Sequence, residues 1–417
     1  MNQTLAINKY LPVVLLYFFF NGFLLPQGLL YTSLLAPFFL YWNFTGRTLK
    51  TLMLFLAVAT PFVVVHLING VEMNYYVRSF VLAVTIVIFL LAFRRFLYEC
   101  STLRSFYRTL LIINIFFVAI ALIALKVPAW TNRFWYTNAI TSGVTTTRLR
   151  LLTYEPSYYS TLFVPIAAYY YLKLLVLKLP NPVMVAILLT VPLLLSLSFG
   201  VIIGLALSVI LTLIYGTRHF FLNKKLPIYI LAGSFAVLLL LALAFLFFPN
   251  NVFVVRLTNV LGGSDASFKG RTFDSFYLAE EIARKKSIWF GCGLGQTKVI
   301  GLDIFKKFYN FDYFTIDSVG IPNAVGDTLA TLGILGIVIR FSLQIYFFFK
   351  TRVFSNYYRL SLFLFIFIYQ FQGSFITNTA EYVIWVMAFS PGIFKEFDRR
   401  SFNRPRTNPT PLPENGL

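Results

Sequence analysis

The sequence predicts an all-α, polytopic integral membrane protein with about twelve transmembrane helices. Of its 417 residues, 59% are hydrophobic and only 12% are charged, whereas soluble domains carry about a quarter charged residues. Many apolar runs are about 17–25 residues long, the length that an α-helix needs to cross the hydrocarbon core of a bilayer. A transmembrane β-barrel would instead show short segments of alternating hydrophobicity.

Twelve apolar runs are the predicted spans. They cover residues 9–25, 28–45, 50–69, 78–94, 108–125, 158–175, 181–197, 200–216, 227–248, 324–349, 357–372 and 379–395. The seventh and eighth come from one apolar stretch, which we divide at Ser196-Leu-Ser-Phe-Gly200. Without that division, the orientation of every later span would be reversed.

Clusters of Lys and Arg follow every second span and predict the orientation. They are Arg47 and Lys50; Arg94, Arg95, Arg104 and Arg108; Lys173 and Lys178; Arg218, Lys224 and Lys225; Lys350, Arg352 and Arg359; and Lys395, Arg399, Arg400, Arg404 and Arg406. Because cytoplasmic loops carry the excess of basic residues, both termini are expected in the cytoplasm. This rule accounts for most of the net charge of +20, so nucleic acid is not expected as a partner.

The predicted transmembrane domain, residues 1–395, contains two long loops on the outer face of the membrane. These are residues 126–157 and 249–323. The second loop includes the stretch TFDSFYLAEEIARKK, which predicts an amphipathic helix near 272–286. The tail, 396–417, is rich in Pro, Asn and Arg and is expected to be cytoplasmic and disordered.

The two cysteines and two histidines predict neither a disulfide nor a metal site. Cys100 and His219 fall in cytoplasmic loops, whereas Cys292 and His66 lie toward the outer face. Residues on opposite sides of a membrane can neither pair nor share a zinc ion. No carboxylates cluster at metal-ligand spacing either. No metal or cofactor is therefore expected, and any chemistry must rely on carboxylates, arginines, tyrosines and His66.

The first outer loop carries positive charge that topology does not require. It contains Lys126, Arg133, Arg148 and Arg150. The planar guanidinium suits phosphate, and in an extended chain Arg148 and Arg150 would point to the same side. This arrangement favours an anionic ligand. Alternatively, the two arginines extend to lipid headgroups.

Glu155 stands directly before Pro156, at the start of the sixth span. Proline is favoured at the first position of a helix, and a carboxylate there complements the helix dipole. Glu155 is therefore either the charged start of a helix or a base that accepts a proton from a sugar hydroxyl. Tyr154 and Tyr158 suit stacking against a sugar or, alternatively, an aromatic belt at the membrane interface.

The second outer loop contains further basic residues and a glycine-rich stretch. Arg256 precedes Lys269-Gly-Arg271, and Gly291-Cys-Gly-Leu-Gly295 follows the predicted amphipathic helix. Spaced glycines permit conformations that turn backbone N–H groups toward an anion. A plain turn is the alternative.

The order of these motifs resembles the O-antigen ligase/polymerase superfamily. In that family the loop carries an Arg, a Gly-Arg pair, a helix with small residues and spaced glycines, which Arg256, Gly270-Arg271, Ala279 and Ala283, and Gly291 to Gly295 match here. The ligase motif, His followed by Asn, Ser or Gln, then nine residues and Gly-x-x-Gly, resembles Pro322-Asn323 and Gly333-Ile-Leu-Gly336. Pro322 replaces the histidine, which favours the polymerase (Wzy-type) branch.

The resemblance implies a GT-C-like fold and a metal-independent glycosyltransferase of the bacterial inner membrane. Such an enzyme polymerises the repeat units of O-antigen, capsule or exopolysaccharide at the outer face, with undecaprenyl-pyrophosphate-linked glycans as donor and acceptor. Membrane lipids and a chain-length regulator protein are further partners that it implies.

The implied site uses arginines for the pyrophosphate and a carboxylate for the acceptor proton. Glu155 is the first candidate base, followed by Asp317, Asp327 and His66. The candidate substrate-binding residues are Arg148, Arg150, Arg256, Lys269, Arg271, Tyr154, Tyr158 and Asn323.

Two alternatives remain open, a ligase that uses another base and a flippase or other transporter of lipid-linked glycans. Transporters usually place ionisable residues near the bilayer midplane. The predicted spans put Glu155, Asp327 and Glu381 near outer ends and Arg340 nearer a cytoplasmic end. Charge gathered at one face favours an interfacial enzyme.

Overall fold

The computed structural model describes residues 11–26, 29–100, 103–141, 144–177, 179–216, 254–255, 258–259, 262–263 and 266–400. These residues are mostly helical. The helices are α1 (Leu11–Leu15, continued by a π-helical turn at Leu16–Phe20), α2 (Tyr31–Leu34), α3 (Ala36–Trp42), α4 (Gly46–Ile68), α5 (Met73–Glu99), α6 (Leu103–Ala124), α7 (Pro128–Phe134), α8 (Pro156–Val176), α9 (Pro182–Ser196), α10 (Phe199–Tyr215), α11 (Ala266–Lys269, continued by a π-helical turn at Gly270–Asp274), α12 (Ser275–Arg284), α13 (Thr297–Tyr309), α14 (Ala324–Lys350), α15 (Tyr357–Tyr369) and α16 (Thr379–Ala388). The strands are β1 (Trp135–Thr141) and β2 (Val144–Leu149).

Five of the described helices, α4, α5, α6, α8 and α14, are long and apolar enough to cross a membrane. Helices α9, α10, α15 and α16 are apolar but shorter. Together they indicate a multi-pass membrane protein. The predicted division of 181–216 is present, since α9 ends at Ser196 and α10 begins at Phe199. The predicted span 227–248 and the tail after residue 400 lie outside the described residues.

Helix α8 lies at the centre of the bundle, and α4 lies at its edge. Of the most apolar window of α8, 72% is buried within the protein, against 11% for α4. Around α8, Tyr107 and Tyr358 share a hydrogen bond of 2.8 Å between their hydroxyl groups, and both pack on Phe394. The apolar surface of α4 is therefore available to lipid, whereas α8 is held by protein on most sides.

The chain is not purely helical, because β1 and β2 form an antiparallel hairpin that the all-α prediction lacks. Strand β1 contains Trp135, Tyr136 and two threonines, and β2 contains Val144 and three threonines; residues of these types favour the extended conformation. The indole of Trp135 donates a hydrogen bond of 2.7 Å to the carbonyl of Ala121. The hairpin is thereby fixed on the end of α6, directly before the chain reaches Glu155.

Helix α14 is discontinuous at Gly333, whose φ of 67° lies in the left-handed region. The break leaves backbone groups without helical partners, and residues 288–293 take them up. Cys292 and Gly293 donate to the carbonyls of Ala330 and Thr331 at 2.8 and 3.0 Å. In return, the N–H groups of residues 334 and 335 bond to the carbonyls of residues 288 and 289. The buried polar backbone at the break is therefore satisfied, as a membrane interior requires.

This packing explains the glycines on both sides of the break. A Cβ on Gly291 would lie 2.4 Å from the backbone of Thr331, and one on Gly333 would lie 2.4 Å from the backbone of Trp289. The hypothesis that the 291–295 stretch turns its N–H groups toward an anion fails for Cys292 and Gly293, because they bond to α14. The alternative reading, a structural turn, holds here.

Candidate functional site

One cavity collects residues from four separate parts of the chain. We call it the polar cavity; its volume is about 140 Å³, and it is lined by Tyr154, Glu155, Ser157, Tyr158, Thr161, Arg271, Pro322, Tyr369, Ser374, Phe375 and Asn378. Four of the residues selected from the sequence, Tyr154, Glu155, Tyr158 and Arg271, line it together. The sequence did not indicate which basic residue would face Glu155.

Glu155 is the N-cap residue of α8, with extended backbone angles, yet its side chain makes no capping hydrogen bond. Its Oε1 atom instead accepts a hydrogen bond of 2.6 Å from the Ser157 hydroxyl. The helix N-terminus carries partial positive charge, which interacts favourably with an acidic side chain at this position. The position thus fulfils the helix-start reading, and it also leaves carboxylate lone pairs for a ligand in the polar cavity.

Arg271 reaches the cavity from the π-helical turn Gly270–Asp274. Turns of this kind widen a helix locally and are frequent at functional sites. The turn is held from two sides: Asn323 donates from Nδ2 to the Arg271 carbonyl at 2.6 Å, and the Tyr309 hydroxyl donates to Asp274 at 3.2 Å. Burial and the charge of Asp274 raise the pKa of Tyr309 to about 12, so this donor keeps its proton at neutral pH.

Among the described parts of the chain, Glu155 and Arg271 form no ion pair with any residue. A carboxylate and a guanidinium that line one small cavity without an ion-pair partner in the described ranges keep their charge for a ligand. Glu155 accepts one hydrogen bond from Ser157 and has further lone pairs free for a ligand. The cavity can therefore hold an anion at Arg271 beside a hydroxyl group at Glu155.

Tyr154 and Tyr158 stack on each other, with ring centroids 4.7 Å apart. The Tyr158 hydroxyl accepts a hydrogen bond of 2.8 Å from Asn21, and its ring is buried in the core. The two rings are thus a wall of the cavity built from within the protein.

Asn323 was predicted to bind substrate, but in the structure its neighbour Pro322 lines the polar cavity and Asn323 does not. The Asn323 Oδ1 atom accepts from the N–H of Gly326 at 2.6 Å and so caps α14. Asn323 is buried and does not line the cavity. Its hydrogen bond to the Arg271 carbonyl holds the turn that carries Arg271. Pro322, which stands where the related motif has histidine, does line the cavity.

Arg148 and Arg150 bond to carbonyl groups of different segments of the chain. Strand β2 ends at Leu149, so the alternation does not extend to Arg150. Arg148 donates to the carbonyl of Ser196, at the C-terminus of α9, at 3.0 Å. Arg150 bonds to the carbonyls of Asn132 and Tyr154 at 2.5 and 3.3 Å. Neither lines the polar cavity, and both fix the shape of the loop that carries Glu155.

Three further residues selected from the sequence lie away from the cavity or outside the description. Asp317 is 92% exposed and 3.6 Å from Lys298. Lys269 is exposed on α11, two residues before Arg271, and does not line the cavity. Arg256 lies outside the described residues.

His66 is buried against the glycine-rich turn, and both ring nitrogens have partners. Nε2 lies 2.7 Å from the Phe290 carbonyl and Nδ1 lies 3.1 Å from the Tyr76 hydroxyl. Since a carbonyl can only accept, Nε2 carries the proton and Nδ1 accepts from Tyr76. His66 thus ties α4 to α5 and to the turn, and it does not line the polar cavity.

Asp327 does not line the polar cavity but bonds to the segment that forms one of its walls. Its Oδ2 atom accepts a hydrogen bond of 2.9 Å from the N–H of Ile376, in a segment whose residues Ser374, Phe375 and Asn378 form one cavity wall. This geometry makes Asp327 a positioning residue for that wall.

Sequence reasoning missed a buried ion pair between Arg340 and Glu381. Arg340 also donates to Gln370 at 2.9 Å, and Glu381 accepts from the Ser374 hydroxyl at 2.5 Å. The predicted spans put Glu381 near an outer end and Arg340 deep in its span, nearer the cytoplasmic end. The signal was available, because an isolated charge inside a membrane needs an opposite charge as partner.

A comparison of the chain with known protein families finds no match, and a comparison with curated proteins finds none.

Proposed function

We propose that this protein is a polysaccharide polymerase of the bacterial inner membrane, with both termini in the cytoplasm. It joins lipid-linked oligosaccharide repeat units at the outer face, with an undecaprenyl-pyrophosphate-linked donor. One observation carries the proposal. Glu155 and Arg271, unpaired in the described chain, line the same small cavity at the ends of apolar helices, as a transfer between a pyrophosphate and a sugar hydroxyl requires.

In the proposed reaction a hydroxyl oxygen of the acceptor sugar attacks the anomeric carbon of the donor. The bond from that carbon to the pyrophosphate oxygen breaks, and polyprenyl pyrophosphate leaves with the bonding electrons. Glu155 accepts the hydroxyl proton, while Arg271 stabilises the charge that grows on the leaving group. An in-line attack inverts the configuration at the anomeric carbon.

Within the superfamily that the sequence resembles, Pro322 favours a polymerase over a ligase. A proline side chain can neither accept nor donate a proton, so the ligase histidine has no equivalent at this cavity wall. Glu155 supplies a carboxylate to the lining of the same cavity. We therefore favour the polymerase over a ligase with another base, and a GT-C-like arrangement of the helices belongs to the same proposal.

A flippase of lipid-linked glycans is the second candidate, and the buried Arg340–Glu381 pair favours it. Transporters often use such charges along their pathway. Here, however, both charges are bound within a hydrogen-bonded network that includes Gln370 and Ser374. The pair lies behind the cavity wall and does not line the polar cavity.

The glycan phenotype of a deletion strain distinguishes the candidates. A polymerase defect gives products that carry a single repeat unit. A flippase defect leaves lipid-linked single units in the cytoplasmic leaflet, where an impermeant glycosidase cannot reach them. A ligase defect leaves full-length polymer on the polyprenyl carrier. Only the first result supports the proposal, and the other two contradict it.

A further inference from the structure

The segment 374–378 forms one wall of the polar cavity, and we call it the wall segment. Three of its residues line the cavity, Ser374, Phe375 and Asn378. The chain is held from behind, because the N–H of Ile376 donates to Asp327 at 2.9 Å and its carbonyl accepts from the Tyr382 hydroxyl at 2.7 Å. The wall segment is therefore fixed in place, and the hydrogen-bonding groups that it offers to a ligand can be assigned.

Ser374 offers the cavity an acceptor and no donor. Its hydroxyl donates its one proton to the Oε2 atom of Glu381 at 2.5 Å. Glu381 is fully buried and forms an ion pair with Arg340. Because a guanidinium keeps its proton, Glu381 is held as a carboxylate, which can only accept hydrogen bonds. The direction of the bond from Ser374 is thus set, and the lone pairs of the serine oxygen remain for a ligand.

Asn378 offers the opposite polarity. Its Oδ1 atom accepts a hydrogen bond of 3.0 Å from the N–H of Ala380 and so caps α16. This bond identifies the oxygen of the amide, so the two N–H groups on Nδ2 are the groups left over. No residue in the described ranges accepts a hydrogen bond from Nδ2. Asn378 is only 5% exposed, and it therefore presents a buried donor without a protein partner to the cavity.

The backbone at Ser374 supports a binding role for its side chain. Its φ of 70° lies in the left-handed region, which residues other than glycine adopt at a cost in free energy. Glycine would avoid that cost, but it would also remove the acceptor from the cavity. Strain of this kind is concentrated at binding sites and active sites.

We propose that Ser374 and Asn378 form a saccharide subsite within the polar cavity. The Ser374 oxygen accepts from one hydroxyl group of a sugar, and the Asn378 amide donates to a neighbouring oxygen of the same sugar. This inference rests on the proposed function, and it identifies the wall segment as the part of the cavity that determines which sugar is bound.

The polarity of the subsite suits a sugar and not a phosphate. An acceptor near a donor matches two adjacent hydroxyl groups, because each hydroxyl can both donate and accept. An ionised phosphate group has no proton to donate to Ser374, whereas Arg271 supplies donors that suit it. Phe375, which is 36% exposed, adds an apolar surface for the C–H groups of the sugar ring. The cavity is thus divided between an anion at Arg271 and sugar hydroxyl groups at the wall segment.

Binding of two separate probes to the purified full chain in detergent tests this division. The first probe is the oligosaccharide repeat unit, released by mild acid from the lipid carriers that a deletion strain accumulates and titrated by saturation-transfer NMR. The second is inorganic pyrophosphate, titrated by calorimetry. Ser374→Ala removes the acceptor. Asn378→Ser removes the amide donors, and serine still caps α16.

Ser390→Ala is the matched control. Ser390 is also buried, donates to the Val386 carbonyl at 2.7 Å and does not line the polar cavity. Thermal unfolding identifies the variants that are folded, and if one of the two wall variants is not, the other decides the test.

We expect Ser374→Ala and Asn378→Ser each to weaken oligosaccharide binding about five- to tenfold, the factor that one hydrogen bond of this kind contributes. Pyrophosphate binding should be unchanged in Ser374→Ala and lost in Arg271→Ala. Ser390→Ala should bind both probes like the wild type. Equal weakening of both probes by Ser374→Ala would overturn the proposal. Oligosaccharide binding that neither wall variant changes would also overturn it, as would a wild-type protein that does not bind the oligosaccharide.

The catalytic proposal can fail separately, because these titrations do not depend on turnover. If Glu155→Gln still makes polymer while the wall variants weaken oligosaccharide binding alone, the saccharide subsite stands and the assignment of the base falls. If Glu155→Gln loses polymer while both wall variants bind the oligosaccharide like the wild type, the base stands and the subsite falls.

Discussion

Glu155 and Arg271 line the same cavity although they belong to different long connections of the chain. Glu155 is placed by the start of α8, and Arg271 by a π-helical turn that Asn323 holds through a hydrogen bond of 2.6 Å. The first connection supplies a carboxylate and the second a guanidinium, and no ion pair joins the two within the part of the chain that the structure describes. The proposed chemistry depends on having this carboxylate and this guanidinium in one cavity.

Replacement of Arg271 by alanine should reduce polymer synthesis about 100-fold, because a preorganised charged donor at a leaving group contributes that much. Arg271→Lys should recover only part of the activity, since an ammonium cannot bond to a pyrophosphate through two parallel donors. Polymer length and amount on glycan gels measure both effects. Lys269→Ala, an exposed cation two residues away, is the control, and an equal loss there would show that only general charge matters.

The buried pair of Arg340 and Glu381 should respond to substitution as a unit. Arg340→Met leaves the Glu381 carboxylate buried without its partner, which costs about 3–5 kcal/mol of stability. The double variant Arg340→Met with Glu381→Gln should recover much of that loss, because no unpaired charge remains. Thermal unfolding of the two single variants and the double variant gives the coupling free energy. Strictly additive effects would contradict the pairing.

The glycines at the break in α14 should tolerate no side chain. Gly333→Ala or Gly291→Ala would place a Cβ 2.4 Å from a backbone atom, at φ values that alone cost about 1–3 kcal/mol for a non-glycine residue. Both variants should therefore unfold at clearly lower temperature. Gly320→Ala, with no atom within 4 Å of its Cβ, is the matched control. Unchanged melting of Gly333→Ala would mean that residues 288–293 do not dock there.

Cys292 should be inert toward thiol reagents in the folded protein. Burial raises the pKa of its thiol to about 12, so at pH 8 only about one molecule in ten thousand carries the reactive thiolate. Maleimide should label it only after denaturation, as mass spectrometry of the peptide would show. Tyr313→Cys, at a position that is 85% exposed, should react readily under the same conditions. Rapid labelling of native Cys292 would contradict its packing against α14.

Much of the local structure could be predicted from the sequence because it depends on neighbouring residues. The apolar run that ends near Ser196 and the Glu-Pro pair at residues 155 and 156 fix helix ends by hydropathy and by the rigid φ of proline. An amphipathic helix at Ser275–Arg284 likewise stands where its periodicity placed it.

The contacts that complete the site could not be predicted, because they join distant segments. From strand alternation we expected Arg148 and Arg150 to bind a ligand, but both donate hydrogen bonds to carbonyl groups of the protein. The spacing of the glycines at 291–295 could not show that this turn docks against the break in α14 at Gly333. The hairpin was missed although its residues favour strands, since its length also fits a loop.

The replacement of Glu155 by glutamine tests the central claim most directly, because glutamine keeps the shape of the side chain and cannot accept the acceptor proton. We expect polymer synthesis in a deletion strain that expresses Glu155→Gln to fall by about 100-fold or more, with single-unit products in place of polymer and the protein present at its normal level. Glu280→Gln, which removes an exposed carboxylate that pairs with Arg284 on the same helix, should leave the polymer unchanged. Full polymer synthesis by Glu155→Gln would contradict the account.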